Sequence, residues 1–492
     1  MAANAGQPFP VPSSSPPAMT PPDQLTETLR QSRQLHLLAF WDTLSTEGRS
    51  RLASQLEGLD WNQISDCRQR AAQRREQQEP SAPIDLSSAH TPPCHRLGEA
   101  TDAGTAARAR GHEALAAGTV GAILVAGGQG TRLGFDAPKG TFPIGPLSHA
   151  TLFEILLGKL AAVRRRHGKP VPLAIMTSNA TDAATRAFLE SNQHCGLNAD
   201  DVFIFCQGTL PAIADDADCL LLDAPDHVAV APDGHGGMLG ALAASGGLAW
   251  FGERGCQTIV SFQVDNPLAQ PLDAEFLGQH LLTAADFSTQ VIPKLHPEER
   301  VGVVVERDGV TEVVEYSDLP AALASERRDD GRLRFDAGSI AIHAFDRRFL
   351  ERTAAAADSL PLHLAHKKVP HLDATGTVIE PTEPNAFKFE RFIFDLMPLA
   401  NRVTLIEVDP AESFAPLKNP TGSSSDSPEL VQQALSDYAR RHLAAAGISV
   451  APEVTVELDA ASILDDTDLV QLADSGKLPG NRIDQPLIVR AG

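Results

Sequence analysis

The pattern of apolar positions predicts a helical region near the N-terminus. Two sets of residues follow the i, i+4, i+7 spacing of an amphipathic helix, namely Leu37, Trp41 and Leu44, then Leu52, Leu56 and Leu59. A charged, glutamine-rich helix end is expected over residues 68–78, and four prolines place a linker at 79–95. We therefore predict a helical region with its linker at 23–98, preceded by a disordered, Pro/Ala/Ser-rich tail at 1–22.

From about residue 100, short apolar runs alternate with helical patterns. A helix is predicted near 152–160, and strands are predicted at 120–126, 172–176, 202–205 and 258–262. Continuously apolar strands separated by helices are typical of a parallel sheet that is covered on both faces. A hairpin at 301–315, turning at Asp308–Gly309, makes this an α/β fold with a mixed sheet.

The C-terminal part differs in pattern from this main domain, which we place at 99–402. A strand at 403–408 is followed by a Ser/Pro/Gly-rich break at 420–428, a helix at 429–445 and short strands. We predict a small C-terminal α+β domain over 403–492.

Charge and composition narrow the possible partners. The 492 residues carry 63 acidic and 41 basic side chains, a formal charge of −22, which disfavours nucleic acid and anionic membranes as partners. There is no uninterrupted apolar run of membrane-spanning length and no signal-peptide pattern, and the six cysteines are scattered. We expect a cytoplasmic protein and predict no protein partner; any phosphate would be bound by local cations, backbone N–H groups or a metal.

The most informative segment is LVAGGQGTRLGFDAPKG at 124–140, which follows a predicted strand and precedes a helix. Gly127, Gly128 and Gly130 have no side chains, so their backbone can closely approach a phosphate or a base. Arg132 and Lys139 add positive charge. Ligands of open parallel sheets bind at the carboxyl ends of strands, where this loop is expected to lie.

Two common phosphate-binding motifs do not fit this loop. The third glycine of G-x-G-x-x-G would fall on Leu133, and the Walker A order fails because Lys139 is followed by Gly140. The loop instead resembles the G-G-x-G-T-R-L-G…P-K loop of nucleotidyltransferases that make nucleotide sugars.

Further motifs extend this resemblance over residues 34–489, essentially the whole ordered chain. They include FCQGTLPA (205–212), APDGHGGMLGAL (231–242), VDNPLAQPLD (264–273), VVEYSDL (313–319) and APLKN (415–419). Together they resemble the eukaryotic-type UDP-N-acetylglucosamine pyrophosphorylases, within the wider UDP-sugar pyrophosphorylase group. The resemblance implies a Rossmann-like, GT-A-like nucleotidyltransferase fold, with 99–402 as the catalytic domain.

The resemblance also implies a reaction. UTP and a sugar 1-phosphate would give a UDP-sugar, most simply UDP-N-acetylglucosamine, and pyrophosphate, by in-line attack at the α-phosphate with Mg²⁺ as cofactor. The residues that match the family are, as phosphate-binding catalytic cations, Arg132, Lys139 and Lys418; as nucleotide-binding positions, Gly127, Gly128, Gly130, Gln207 and Gly234; as sugar-binding candidates, His235, Glu315, Asp336 and Lys388; and as the metal ligand, Asp265.

Two departures from the family pattern concern the sugar end. The usual G-N-G-G is Gly234–His235–Gly236–Gly237, and the usual F-N-A-G-N has Asp336 in place of its first asparagine. Because the histidine is more typical of UDP-glucose and broad-specificity relatives, a UDP-glucose or broad UDP-sugar pyrophosphorylase is the alternative. A non-catalytic nucleotide-sugar-binding protein also stays open. His363 and His366 match a helix without a metal in the family.

Overall fold

A computed structural model describes residues 20–76, 85–215, 218–355, 360–478 and 480–491. Of the predicted tail at 1–22, only residues 20–22 fall within these ranges, and part of the predicted linker lies outside them. None of the helices in the described ranges is long and apolar enough to cross a bilayer.

The α-helices are numbered in chain order. They are α1 (Asp23–Gln31), α2 (Thr46–Glu57), α3 (Trp61–Glu76), α4 (Asp102–Ala117), α5 (Leu152–His167), α6 (Asp182–Ser191), α7 (Gly237–Ala244), α8 (Gly247–Glu253), α9 (Ala274–Leu282), α10 (Ala321–Ala324), α11 (Arg347–Ala354), α12 (Pro410–Ser413), α13 (Pro428–Ala445) and α14 (Asp466–Asp474). Short 3₁₀ helices lie at Leu35–Leu38, Trp41–Thr43, Thr131–Leu133, Lys139–Thr141, Gln193–Gly196, Ala199–Asp201 and Ile393–Leu399.

The strands are numbered in the same way. They are β1 (Cys94–Arg96), β2 (Val120–Val125), β3 (Leu173–Thr177), β4 (Val202–Cys206), β5 (Thr209–Pro211), β6 (Ile213–Ala214), β7 (Leu222–Ala224), β8 (His227–Val228), β9 (Val230–Pro232), β10 (Thr258–Gln263), β11 (Phe287–Pro293), β12 (Val303–Arg307), β13 (Val310–Val314), β14 (Ala337–Asp346), β15 (His363–Lys367), β16 (His371–Leu372), β17 (Val378–Ile379), β18 (Ala386–Glu390), β19 (Val403–Glu407), β20 (Ser449–Val450), β21 (Val456–Leu458), β22 (Arg482–Ile483) and β23 (Leu487–Val489).

One mixed sheet organises the fold, as the sequence predicts. Its strand order is β1-β19-β11-β14-β10-β2-β3-β4, and the β12–β13 hairpin attaches to β14. Strand β14 runs antiparallel to β10 and β11, whereas the other neighbouring pairs along this order are parallel. The four parallel strands β10, β2, β3 and β4 therefore end at the same edge.

Helices cover both faces of this sheet. Leu124 of β2 packs in a core with α5 residues such as Leu156, whereas its neighbour Ile123 packs in a second core with Leu239 of α7 and Phe349 of α11. Successive side chains of a strand point to opposite faces, so a strand buried on both faces is apolar throughout. This explains the continuous run VGAILV in β2.

Residue contacts divide the chain into two compact units. The first comprises Met1–Gln78, Thr209–Ala231 and Leu364–Phe389, and the second comprises Glu79–Gly208, Pro232–His363 and Glu390–Gly492. The first unit contains α1–α3 with short strands, and in it the buried Gln34 side chain accepts from the Leu220 N–H (2.9 Å) and donates to the Asp218 carbonyl (3.2 Å). The second contains the whole main sheet.

The C-terminal residues form an α+β layer within this second unit. Helices α13 and α14 bury apolar side chains such as Leu443 and Leu469 against short parallel strand pairs, β20–β22 and β21–β23. The predicted domain division at 402/403 stays a prediction, although strand β19 is part of the main sheet, where it pairs with β11.

Three local predictions are wrong. Leu37, Trp41 and Leu44 do not share one α-helix, because the chain there forms two separate 3₁₀ turns. Cys94 and His95, placed in the linker, form an edge strand with Arg96 beside β19. His363 begins a strand rather than lying on a helix. The turns near Leu37 and the strand at 94–96 depend on contacts with distant residues, which local sequence patterns do not register. The helix expected at His363 comes from the family resemblance.

Helices α4 and α9 approach each other closely because each has a glycine at the contact. A Cβ on Gly111 would lie 1.8 Å from the Ala274 carbonyl oxygen, and one on Gly278 would lie 1.6 Å from the Ala107 carbonyl oxygen. Neither backbone can move without separating the helices, so these positions accept only glycine.

We predict that Gly111→Ala lowers the free energy of unfolding by about 3 kcal/mol through this overlap. The matched control is Gly252→Ala in α8, where the nearest atom to a Cβ is 3.4 Å away and alanine favours the helix. Urea unfolding measures both. Equal stability of the two variants would contradict the packing described.

Candidate active site

Four loops that carry polar side chains meet at one edge of the main sheet. Gly127 follows β2, Ser178 follows β3, Gln207 follows β4 and Asp265 follows β10. Because these four strands are parallel neighbours, their carboxyl ends bring the loops together. This edge is where open α/β sheets bind ligands.

The glycine loop lies directly against an amide side chain. A Cβ on Gly127 would lie 3.0 Å from Nε2 and 3.2 Å from Oε1 of Gln207, which is buried. The Ser178 hydroxyl donates to the Gly127 carbonyl over 2.7 Å and fixes the loop from the other side. By contrast, a Cβ on the exposed Gly128 would meet no atom of the described chain within 4 Å. The loop thus exposes backbone next to an amide that can both donate and accept.

Hydrogen bonds within the loop fix its shape. The Gly130 N–H donates to the Ala137 carbonyl (2.9 Å), and the Lys139 N–H donates to the Gly128 carbonyl (3.0 Å). A Cβ on Gly130 would come within 2.7 Å of Phe135, so this glycine is required by packing within the loop.

The predicted cations of the loop have different surroundings. Arg132 is exposed on the 3₁₀ turn Thr131–Leu133. Lys139 is mostly buried, and its Nζ lies 3.4 Å from Oδ2 of Asp265. The structure thus brings the predicted phosphate-binding lysine and the predicted metal ligand together.

The C-terminal segment reaches this pair through the loop after β10. The Leu417 N–H donates to the Asp265 carbonyl (2.8 Å). The buried Asn266 side chain donates to the Ser413 carbonyl (2.8 Å) and accepts from the Ala415 N–H (3.0 Å). These bonds place the APLKN motif, with Lys418, beside the strand end that carries Asp265.

Asp426 is a residue of this site that the sequence analysis missed. Its carbonyl accepts from the Lys418 N–H (2.9 Å). Burial raises the pKa of the Asp426 carboxyl, the Asp265 charge raises it further, and Lys418 and Lys139 lower it. Two carboxylates and two lysines therefore share one neighbourhood. Asp426 alone gave no signal in the sequence, because it lies in a Ser-rich break.

Lys159 is a second missed residue. It lies on α5, and its Nζ donates to the carbonyls of Pro267 (2.7 Å) and Ala269 (2.8 Å) in the loop after Asp265. Burial lowers the pKa of Lys159 to about 7. A lysine within the otherwise apolar face of a predicted helix, FEILLGKLAAV, is the signal that could have identified it.

The GHGG turn packs against the chain near residue 391. Gly234 has φ +84°, and a Cβ there would lie 2.4 Å from the Arg391 carbonyl oxygen. The buried Asp233 carboxylate, which the sequence analysis also missed, lies against Gly237 at the start of α7 and pairs with Arg391 over 3.7 Å. These contacts account for the glycines on both sides of His235.

His235 is held as a neutral side chain. Its ring stacks on Phe392 with 5.2 Å between centroids, and its Nδ1 accepts from the Ile393 N–H over 3.2 Å. Burial lowers the pKa of His235 to about 4. With Nδ1 accepting, the ring proton is on Nε2, so His235 offers one neutral N–H donor.

Glu315 directly follows β13 and lies near the C-terminal lysine. Burial raises the pKa of the Glu315 carboxyl, the charges of Asp318 and Asp395 also raise it, and His363 and Lys418 lower it. The charge of Lys418 thus acts on the Glu315 carboxyl. The resemblance assigns Lys418 to the phosphate and Glu315 to the sugar.

Asp336 and Lys388 are the other two sugar candidates. Asp336 is buried, and its carboxylate pairs with Arg328 (2.8 Å) and Arg332 (2.5 Å). Both arginines contact the same carboxylate oxygen, Oδ2. Lys388 is partly buried on β18 and belongs to the other compact unit. Both roles stay predictions.

The chain is similar to known proteins over most of its length. Residues 68–435 match the family model described as UTP–glucose-1-phosphate uridylyltransferase. A UDP-N-acetylhexosamine pyrophosphorylase-like protein 1 of Homo sapiens is 34% identical over 94% of this chain and 96% of its own length. The UDP-N-acetylglucosamine pyrophosphorylase of Saccharomyces cerevisiae is 36% identical over 71% of this chain and 75% of its own.

The solved structures give the same picture. The uridine diphosphate N-acetylglucosamine pyrophosphorylase of Trypanosoma brucei, in complex with an inhibitor, superimposes with a TM-score of 0.80 at 25% identity and covers 98% of this chain and 99% of that chain.

Proposed function

The chain belongs to the UTP–glucose-1-phosphate uridylyltransferase family, and we propose that it converts UTP and N-acetylglucosamine 1-phosphate into UDP-N-acetylglucosamine and pyrophosphate. The relatives named above support the N-acetyl sugar. The observation that carries the proposal is the contact of Gly127 with Gln207 beside the Lys139–Asp265 pair. It combines a recognition surface for a pyrimidine with a place for its phosphates.

The uracil ring would lie against the backbone of Gly127 and Gly128. The Gln207 amide donates and accepts at once, which suits the alternating carbonyl and N–H groups on the edge of uracil. Gly128 is exposed and gives the base or ribose room to approach.

The phosphates would extend toward Lys139 and Lys418, with Arg132 at the exposed side. A sugar-phosphate oxygen attacks the α-phosphorus in line, and pyrophosphate leaves on the opposite side. The chain need not form a covalent intermediate, because the barrier is lowered by aligning the two anions and by neutralising the charge that develops between them.

The residues present fit a magnesium ion at Asp265. Its carboxylate is partly exposed, and only Oδ2 lies within reach of Lys139. Mg²⁺ is commonly held by one or two carboxylates together with substrate phosphate oxygens. When bound, the ion would polarise the α-phosphate and fix the orientation of the triphosphate.

The identity of the sugar depends on Glu315 and His235. Glu315 would accept hydrogen bonds from sugar hydroxyls, and the neutral His235 would donate from Nε2, replacing the amide donor of the family's usual asparagine. A UDP-glucose or broad-specificity enzyme is the second candidate, favoured by the histidine alone.

The direct test is pyrophosphate release from UTP and Mg²⁺ with a panel of sugar 1-phosphates. We expect N-acetylglucosamine 1-phosphate to give the highest kcat/KM. If glucose 1-phosphate exceeds it by more than tenfold, the sugar assignment is wrong. UDP-sugar binding without turnover at any Mg²⁺ concentration would instead indicate a non-catalytic protein.

Replacing the loop lysine tests the charge-neutralising role. Lys139→Met should lower kcat by at least ~100-fold, because one donor aimed at a developing anion is worth several kcal/mol. Lys169→Met is the matched control, since this lysine is exposed after α5, and it should keep wild-type kcat. Steady-state kinetics at saturating UTP decide; wild-type turnover in the Lys139 variant would remove this residue from the mechanism.

Asp265→Asn tests the metal site. The variant keeps the size of the side chain but loses a charged ligand, so we expect the Mg²⁺ concentration for half-maximal activity to rise at least ~10-fold. Mn²⁺ binding in the presence of UTP, followed by electron paramagnetic resonance, should weaken in parallel. The exposed loop residue Asp136 provides the control Asp136→Asn; identical titrations for both variants would exclude Asp265 as a ligand.

A further inference from the structure

His363 is held by a hydrogen bond and by ring packing near Glu315 and His235, the residues proposed to bind the sugar. Its Nε2 is 2.9 Å from Oδ2 of Asp395, in the first turn of the 3₁₀ helix Ile393–Leu399. The same carboxylate oxygen accepts from the Phe392 N–H over 3.3 Å, so the partner of the histidine is itself fixed by the backbone.

An aromatic layer holds the ring from the side. The His363 and Phe392 ring centroids are 4.4 Å apart, and Phe392 stacks in turn on His235. A histidine with its orientation fixed by both a carboxylate and a packed ring is pre-organised and loses little entropy when it acts on a neighbour.

The neighbour is Glu315. Strand β13, which ends one residue before it, packs against the 3₁₀ helix that carries Asp395. Burial lowers the pKa of His363, but the hydrogen bond and charge of Asp395, with the charges of Asp318 and Glu315, raise it above its ordinary value overall. The protonated form of His363 is therefore favoured, and its positive charge stabilises the carboxylate form of Glu315.

We propose that His363 is a positioning residue for the sugar 1-phosphate, whose imidazolium acts on the substrate through the neighbouring Glu315 carboxylate. The inference rests on the proposed function, in which Glu315 binds sugar hydroxyls. An ionised carboxylate accepts hydrogen bonds at both oxygens, whereas in a protonated carboxyl group one oxygen carries a proton and donates. His363 thus affects the affinity for the sugar 1-phosphate and leaves the affinity for UTP unchanged.

The pH dependence follows from the groups around Glu315. Burial, Asp318 and Asp395 raise the pKa of its carboxyl, whereas His363 and Lys418 lower it. His235, packed on the same aromatic layer, is neutral and contributes no opposing charge. The carboxylate form is lost as the pH falls through this pKa, so removing the His363 charge moves that loss to higher pH.

The test is the pH profile of kcat/KM for the sugar 1-phosphate between pH 4.5 and 9, with UTP saturating. In His363→Gln, we expect the acid limb to move up by about one pH unit, with kcat/KM near wild type at pH 8.5 and the KM for UTP unchanged. Ionisation of the sugar phosphate affects all variants equally. His366→Gln is the matched control: His366 is also bonded to a carboxylate, Asp215 (2.7 Å), and stacked on a phenylalanine, Phe387.

Two further variants separate positioning from a structural role. His363→Lys keeps the charge and should keep the acid limb of the wild type. In a Glu315→Gln background, His363→Gln should have no further effect, because the histidine acts through that carboxylate. If His363→Gln fails to fold, the Lys variant and the double variant decide.

The inference is overturned if the wild type turns over but the acid limb does not move in His363→Gln, or if the two substitutions add fully. Absence of turnover by the wild type with every sugar 1-phosphate would instead contradict the proposed function. The two failures are therefore distinguishable.

Discussion

The contact between a side-chain-free backbone and the Gln207 amide is the constraint on which the rest of the site depends. A Cβ at Gly127 would lie only 3.0 Å from this amide, tighter than an ordinary van der Waals contact. The parallel order of β10, β2, β3 and β4 places the contact beside Asp265, and the loop's own hydrogen bonds place Lys139 there as well. Recognition and charge neutralisation are thus linked by one sheet edge.

Local charge resolves an apparent conflict in this acidic protein. A chain with a formal charge of −22 repels polyanions at long range, so phosphate binding requires cations concentrated at one place. Lys139 and Lys418 arrive from distant parts of the sequence, and Asp265 and Asp426 balance them. In the proposed function, these lysines would bind the nucleotide phosphates and Asp265 would hold the metal ion.

Much of this arrangement was predictable from the sequence. The apolar runs located β2, β3, β4 and β10 to within one or two residues, and the glycine loop with its motifs identified the family. The resemblance predicts that Glu315 and Lys418 are site residues, and the Lys418 charge lowers the pKa of the Glu315 carboxyl.

The remainder depends on contacts that no local pattern encodes. The contacts of three features join residues that are far apart in the chain. These features are Asp426, Lys159 and the Asp233–Arg391 pair. Asp336, which replaces the asparagine of the family's motif, stays a predicted sugar ligand, and no pattern in the sequence indicated the two arginines that pair with its carboxylate. Local periodicity likewise misread the turns at Leu37 and Trp41, whose burial comes from tertiary packing.

A crystal structure with bound UDP-N-acetylglucosamine tests the central claim most directly. The account predicts the uracil ring against Gly127 with its edge on the Gln207 amide, and the diphosphate within hydrogen-bonding distance of Lys139 or Lys418. A uracil bound at any other loop, or a diphosphate remote from both lysines, would contradict it.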